Sequence, residues 1–324
     1  MHVTPLAWIL TLTILLAVLV VDVFIIGRRP HEPSMAECAR AIAFFVGAAI
    51  LFGIGVWYLR GAQYGAEFFA GWLTEYSLSV DNLFIFLIIM EKLKVPRHLQ
   101  QFALLVGIIL ALVFRGVFIA LGAALIASFA WIFFVFGIFL LWTAYSLVKD
   151  YMNHESEEEA TDNIAMRFVK RRFRFTDDYH GTKIRVKLDN KHAMTPMFLV
   201  IVALGSTDLL FALDSIPAIY GLTQEPYLVF AANVFALMGL RQLYFLLGNL
   251  LKRLVYLSLG LSFILAFIGV KLFLHAAHHY GLDARLGFNG EVPIWLSLSV
   301  IIGTLLITTV ASLIKSRRTP AEVE

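Results

Sequence analysis

Two short stretches place acids at the same spacing inside otherwise apolar sequence. Glu75 and Asp81 are followed by Asn82, and Asp208 and Asp214 are followed by Ser215. A charge at the centre of a bilayer costs at least about 2.5–3.5 kcal/mol. Four carboxylates in two apolar runs therefore need partners. Arg115 and Arg241, each in the apolar run after one acidic stretch, can neutralise two of them. The others must be protonated or hold a cation, and both states suit a transporter that exchanges a metal ion for protons. Carboxylate, amide and hydroxyl oxygens are hard ligands, better matched to Mn²⁺, Mg²⁺ or Ca²⁺ than to Cu⁺ or Zn²⁺. No Cys or His accompanies the acids in sequence, and Met90 and Met238 read as packing residues. The candidate metal site is thus Glu75, Asp81, Asn82, Asp208, Asp214 and Ser215. Asp81 and Asp214 are its expected central ligands. Arg115 and Arg241 are its expected counter-charges, in competition with the cation.

Six residues of ideal helix turn about 600° and rise about 9 Å, so Glu75 and Asp81 do not share a face of a straight helix. Both point inward if the site is elongated or the helix is broken. Ser77 and Ser79 in the first stretch, and Ser215 and Pro217 in the second, are compatible with local unwinding. Proline removes a helix hydrogen bond, and unwound backbone offers carbonyl oxygens as ligands.

The elements that must carry these residues are membrane spans. Sixty per cent of the 324 residues are hydrophobic and 15% are charged, against about 45–50% and about 25% for soluble chains. That balance excludes an ordinary soluble enzyme, a disordered regulator and a nucleic-acid-binding module. One cysteine, Cys38, excludes a disulfide framework and a multi-thiolate metal site. About 20 apolar residues cross a bilayer as helix. Nine such runs stand near 6–26, 42–59, 65–90, 102–125, 129–148, 197–219, 228–250, 254–274 and 293–314. They are too long and too uniformly apolar for barrel strands. The expected fold is an all-α membrane protein of about nine transmembrane helices.

Of the 26 Lys and Arg residues, 21 fall in the loops after spans one, three, five and seven and in the C-terminal tail. Arg60 and Arg285 alone fall on the other side, while Arg115, Arg241 and Lys271 lie in or near spans. Basic loops stay in the cytoplasm, so the N-terminus is expected outside and the C-terminus inside. No basic residue precedes the first run, which is therefore expected to be retained rather than removed as a signal peptide.

Spans three to five match spans six to eight. The acidic stretches correspond, and Arg115 stands eight residues after Gly107 as Arg241 does after Asn233. An odd number of spans per copy makes consecutive copies enter from opposite sides, giving a 3+3 inverted repeat. Such repeats commonly hold substrate and ion sites at their interface near the midplane. The chain divides into N-terminal peripheral helices (1–64), a first repeat (65–148), a cytoplasmic loop (149–195), a second repeat (196–275), and an outer loop, last helix and tail (276–324). The loop carries an acidic stretch (Glu155, Glu157, Glu158, Glu159, Asp162) and then a basic, Phe-rich one from Arg167 to Arg174. It reads as solvated or lying against anionic lipid, with a cytoplasmic partner as the alternative. Glu67 reads as solvated at the outer interface, and Lys271 as a snorkelling side chain. Asp22 could be structural or functional. His275, His278 and His279 read as a solvated interfacial cluster rather than a metal site.

The segment Glu75-Tyr76-Ser77-Leu78-Ser79-Val80-Asp81-Asn82 resembles a signature of the TerC family of integral membrane proteins. So do Thr195-Pro196, the run from Ser206-Thr207-Asp208 to Ile219, the run from Asn233 to Arg241 with Tyr244-Phe245, and the loop stretch Thr176-Asp177-Asp178-Tyr179-His180-Gly181. The resemblance covers about residues 6 to 314. It implies a bacterial inner-membrane protein and, through the Alx-like branch it most resembles, a link to manganese export and the response to alkaline pH. Mn²⁺ is therefore the expected cargo, moved in exchange for protons, with the lipid bilayer as surroundings and no cofactor. Thr207 before Asp208 departs from the neighbourhood common in relatives. Tellurite resistance, the source of the family name, does not carry over, because the acids would repel an oxyanion. The other readings are a broader divalent-cation or Ca²⁺ exchanger, and a membrane scaffold recruiting stress-response partners through 149–195. An enzyme is not expected: HExxH and GxSxG are absent from the sequence, and arginines beside paired acids favour full ionisation over a shared proton.

The charge split predicts topology. Single cysteines at the N-terminus, Gln63 and Asn289 should react with an impermeant reagent in intact cells, and one at Asn163 should not. External labelling at Asn163 would overturn the orientation.

Overall fold

The computed structural model describes residues 4, 6, 8–11, 13–14, 17–18, 34–129, 131–153, 172, 175–176, 178–188, 191–247, 255–280 and 292–318. Most of the first span, Asp22, residues 154–171 of the loop, and Arg285 and Asn289 lie outside the described residues. Helices dominate: α1 (Met35–Arg60), α2 (Ala62–Lys92), α3 (Arg97–Ser128), α4 (Ile132–Asn153), α5 (Pro196–Tyr220), α6 (Pro226–Leu237), α7 (Leu240–Leu247), α8 (Leu257–His279) and α9 (Ile294–Arg318). With α6 and α7 counted as one crossing, eight are long and apolar enough to span a membrane. The protein is an all-α membrane protein, apart from one small sheet.

Local sequence sets the helix starts. Ser34 accepts from the Glu37 amide while its own N–H donates to the Glu37 carboxylate, which closes a capping box on α1. Pro196 and Pro226 open α5 and α6, where a missing N–H costs nothing. The first helix of one half packs on the second of the other: α2 on α6, and α5 on α3. The third helices, α4 and α8, pack on each other. Gly137 and Gly269 make that last contact close, since a Cβ on Gly137 would lie 2.8 Å from the Gly269 carbonyl oxygen. The middle of the bundle is α2 and α6, while α1 and α9 expose apolar residues such as Leu51, Leu306 and Ile307. In a membrane protein such faces meet lipid.

Two corrections concern local structure. The helices do not unwind at Ser77 and Ser79 or at Ser215 and Pro217; α2 and α5 run unbroken through them. The Ser77 hydroxyl bonds back to Leu73 O at 2.7 Å and Thr207 to Ala203 O at 2.7 Å, so these side chains stay within the helical ladder. The break falls instead at Met238–Gly239, between α6 and α7, where Gly239 takes φ 85°. A side chain there would be strained and would approach Phe45 Cδ2 at 3.2 Å. The 149–195 loop is also more than a solvated segment. Arg185–Leu188 and Lys191–Met194 form an antiparallel hairpin. Tyr179 ties it to the bundle by donating to Leu93 O at 2.8 Å. Burial pushes the Tyr179 phenol up to about 12, so this donor keeps its proton throughout the neutral range.

The Gly137–Gly269 approach predicts that Gly137→Val lowers the melting temperature in detergent by several degrees, for a cost of about 1–3 kcal/mol. Gly303→Ala, which meets nothing within 4 Å, should leave it unchanged. Equal melting of both variants and the parent would show that the α4–α8 contact is not tightly packed.

Candidate metal site at the middle of the bundle

Glu75 stands about 20 Å of helix from the start of α2, and Asp208 about 18 Å from either end of α5. Both therefore lie at mid-bilayer depth. Arg115 of α3 lies between them. Its Nη1 donates to Glu75 Oε2 in a short ion pair and to Asn233 Oδ1 at 2.9 Å, and its Nη2 is 3.8 Å from Asp208 Oδ1. Asn233 of α6 is held by its own Nδ2, which donates to Val229 O at 3.2 Å and turns its carbonyl oxygen toward the guanidinium. One cation thus joins four helices. Glu75 is fully buried and Arg115 is 1% exposed, so neither is solvated from the surface.

The group is incompletely satisfied. Glu75 Oε1, Asp208 Oδ2 and Ser215 Oγ are buried and have no hydrogen-bond partner. Ser215 lies beside the Glu75 carboxylate without completing a bond to it. Buried polar atoms usually find partners. Helix geometry sets which of these residues share a face. Ser215 is seven residues after Asp208, and Asn82 seven after Glu75, which is about 20° from the same face. Asn82 is buried. The small polar residue, rather than the second acid, lies above the first acid on each helix. Asp81 and Asp214 lie one residue earlier on α2 and α5, and their side chains lie outside the described residues.

Arg241 is the second expected counter-charge, and its place relative to Asp81 and Asp214 lies outside the described side chains. It follows the break at Gly239 and sits on α7 beside Cys38 and Gln242, facing Leu105 and Ile108 of α3. Asn233 is the residue that sequence reasoning missed. Its signal was an amide in the otherwise apolar run of α6.

One outer-interface reading changes, that of Glu67. Glu67 is 8% exposed and takes hydrogen bonds from Gln63 at 3.0 Å and Thr223 at 2.7 Å. Lys271, half-exposed, donates to Ser297 Oγ at 3.2 Å. His275 bonds Gln224 at 2.8 Å and packs edge-on against Phe133. Among the described residues, no three His, Cys, Asp or Glu side chains form a metal-ligand cluster.

Helices of this length, with a charged group joined at mid-depth, define a multi-pass integral membrane protein. The chain belongs to the TerC family of integral membrane proteins, whose family model matches residues 60–320. It is 46% identical to an uncharacterised membrane protein of Mycobacterium tuberculosis, over 98% of this chain and 81% of the relative. It is 36% identical to a membrane protein of Myxococcus xanthus, over 98% and 95%. It is 33% identical, over 92% and 94%, to Alx of Photorhabdus laumondii, which is named as a candidate membrane-bound redox modulator. No solved structure matches the chain.

Removing the shared cation should expose the cost of the two acids. Arg115→Met leaves them uncompensated, a loss of about 3–5 kcal/mol, read as a large drop in the folded, monodisperse fraction. Arg115→Met with Glu75→Gln and Asp208→Asn should recover most of it. A single Arg115→Met variant as stable as the parent would mean that the guanidinium does not hold these acids.

Proposed function

We propose that this protein transports a divalent cation, Mn²⁺, out of the cytoplasm across a bacterial inner membrane in exchange for protons. The observation that carries the reading is Arg115 held between Glu75 and Asp208, with one oxygen of each carboxylate and Ser215 Oγ left without a partner. A pure structural staple needs all its lone pairs satisfied to offset desolvation. This group leaves those oxygens, and the Nε and Nη2 donors of Arg115, without partners. Two carboxylates and one guanidinium carry net negative charge, and Asp81 and Asp214 on the same helices add to it. Asp81 and Asp214 serve as central ligands, Glu75 and Asp208 as ligands or proton acceptors, and Asn82 and Ser215 as neutral oxygens. Arg115 is the resident counter-charge that the ion displaces. Arg241 is a second cationic group, beside the helix break.

The reciprocal packing of α2 on α6 and α5 on α3 supports a three-plus-three inverted repeat whose interface holds the site. The orientation follows the positive-inside split, N-terminus out and C-terminus in. A redox role, taken from the Photorhabdus relative's name, has no intrachain dithiol here, since Cys38 is the single cysteine.

Ligand carboxylates must be deprotonated, so Mn²⁺ binding should release protons and tighten with rising pH. The titration belongs to the coupled set of acids rather than to one residue. Calorimetry in buffers of different ionisation enthalpy counts the protons; a buffer-independent enthalpy with affinity flat in pH would remove proton coupling. In proteoliposomes, Asp81→Asn and Asp214→Asn should each abolish Mn²⁺ flux while the protein still inserts, because amides cost less in the membrane than carboxylates. Normal flux in both variants would sink the transport site as assigned.

A further inference from the structure

A cavity of 720 Å³ opens at the face opposite the 178–195 hairpin. Its floor is Tyr220–Leu222 at the end of α5, and its walls include Gln63 and Glu67 of α2 and Lys271 and His275 of α8. At about 30 Å³ per water it holds about two dozen waters. Glu67 lies at this wall with each carboxylate oxygen accepting one hydrogen bond, from Gln63 and from Thr223. Each oxygen keeps lone-pair capacity. Lys271 faces the same carboxylate, but its ammonium donates to Ser297 Oγ on α9. Glu225, His275, Tyr64 and Tyr220 are the other titratable side chains among the described residues of the cavity wall. The His275 Nε2 is already engaged by Gln224.

The two helices that build the mid-membrane site also build this cavity. Glu67 precedes Glu75 by eight residues on α2, a rise of about 12 Å, and Thr223 follows Ser215 by the same number just past the end of α5. Both places use one arrangement: a buried carboxylate faced by a basic side chain from another helix. The difference is water. The inner pair is sealed, whereas Glu67 borders a space large enough for an ion with its whole hydration shell. Mn²⁺ and Mg²⁺ accept such sites, keeping most of their waters and one or two carboxylates.

We propose that this cavity is a second, weaker site for a hydrated divalent cation, in which Glu67 receives the ion and Lys271 is the fixed charge that shortens its stay. The inference rests on the transport reading only in taking the cation to be the same. Together the two sites make a stepped path along α2, tight at Glu75 and loose at Glu67.

The probe is Mn²⁺ itself, titrated into the purified full chain in nanodiscs, with free ion counted by electron paramagnetic resonance. Two binding classes are expected. Glu67→Gln should remove the weaker class and Glu67→Asp should retain it. Lys271→Met should tighten it by about tenfold, because a like charge across the cavity is gone. Asp208→Asn should remove the tighter class only. If the weaker class survives Glu67→Gln, or weakens in Lys271→Met, the cavity site is overturned and the pair is structural. If Asp208→Asn leaves both classes intact while Glu67→Gln removes one, the mid-membrane reading fails and the cavity site stands.

Discussion

The structure depends on one guanidinium placed where water does not reach. Arg115 holds a carboxylate from each half of the bundle and an amide from a fourth helix. At mid-bilayer depth none of these groups is affordable alone. The helices must therefore approach closely enough to share the charge, and α2, α3, α5 and α6 become a unit by electrostatic necessity as much as by packing. In an apolar solvent there is little hydrophobic drive between helices. A shared buried charge supplies the missing specificity of pairing.

The same interaction is incomplete as a staple. Arg115 Nη2 stops 3.8 Å from Asp208, outside hydrogen-bond range, and the second oxygen of each acid is bare. A low-dielectric surrounding raises the value of every ionic contact and the cost of every missing one. Such a group has two ways to lower its energy: a proton on a carboxylate, or a cation between the oxygens. It cannot use both at full strength.

The spans, the acids and Arg115 were legible in the sequence because hydrocarbon punishes charge so heavily that any ionisable residue in a span stands out. Much of the site's geometry was less legible. Six-residue spacing drew attention to the acid pairs, yet the seven-residue relation of Glu75 to Asn82 and of Asp208 to Ser215 decides which side chains share a face. The helix break was not legible, since nothing in Met238-Gly239 alone distinguishes a break from a packing glycine. Asn233 passed as one polar residue in a run. Glu67 was assigned to water by its nearness to a span end, whereas its burial depends on which helices close over α2, a tertiary fact.

The break at Gly239 gives the two halves unequal roles. In the first half a continuous α3 carries Arg115 straight to the acids. The α6–α7 run stops at Met238 and restarts at Leu240, and Arg241 on α7 lies near Cys38 of α1. With both carboxylates ionised, the described group of Glu75, Arg115 and Asp208 carries one negative charge in excess. The interruption costs backbone hydrogen bonds and a residue locked to positive φ, a penalty carried inside the membrane core. Beside it stands the described buried group, an acid from α2 and an acid from α5 with the Arg115 guanidinium between them.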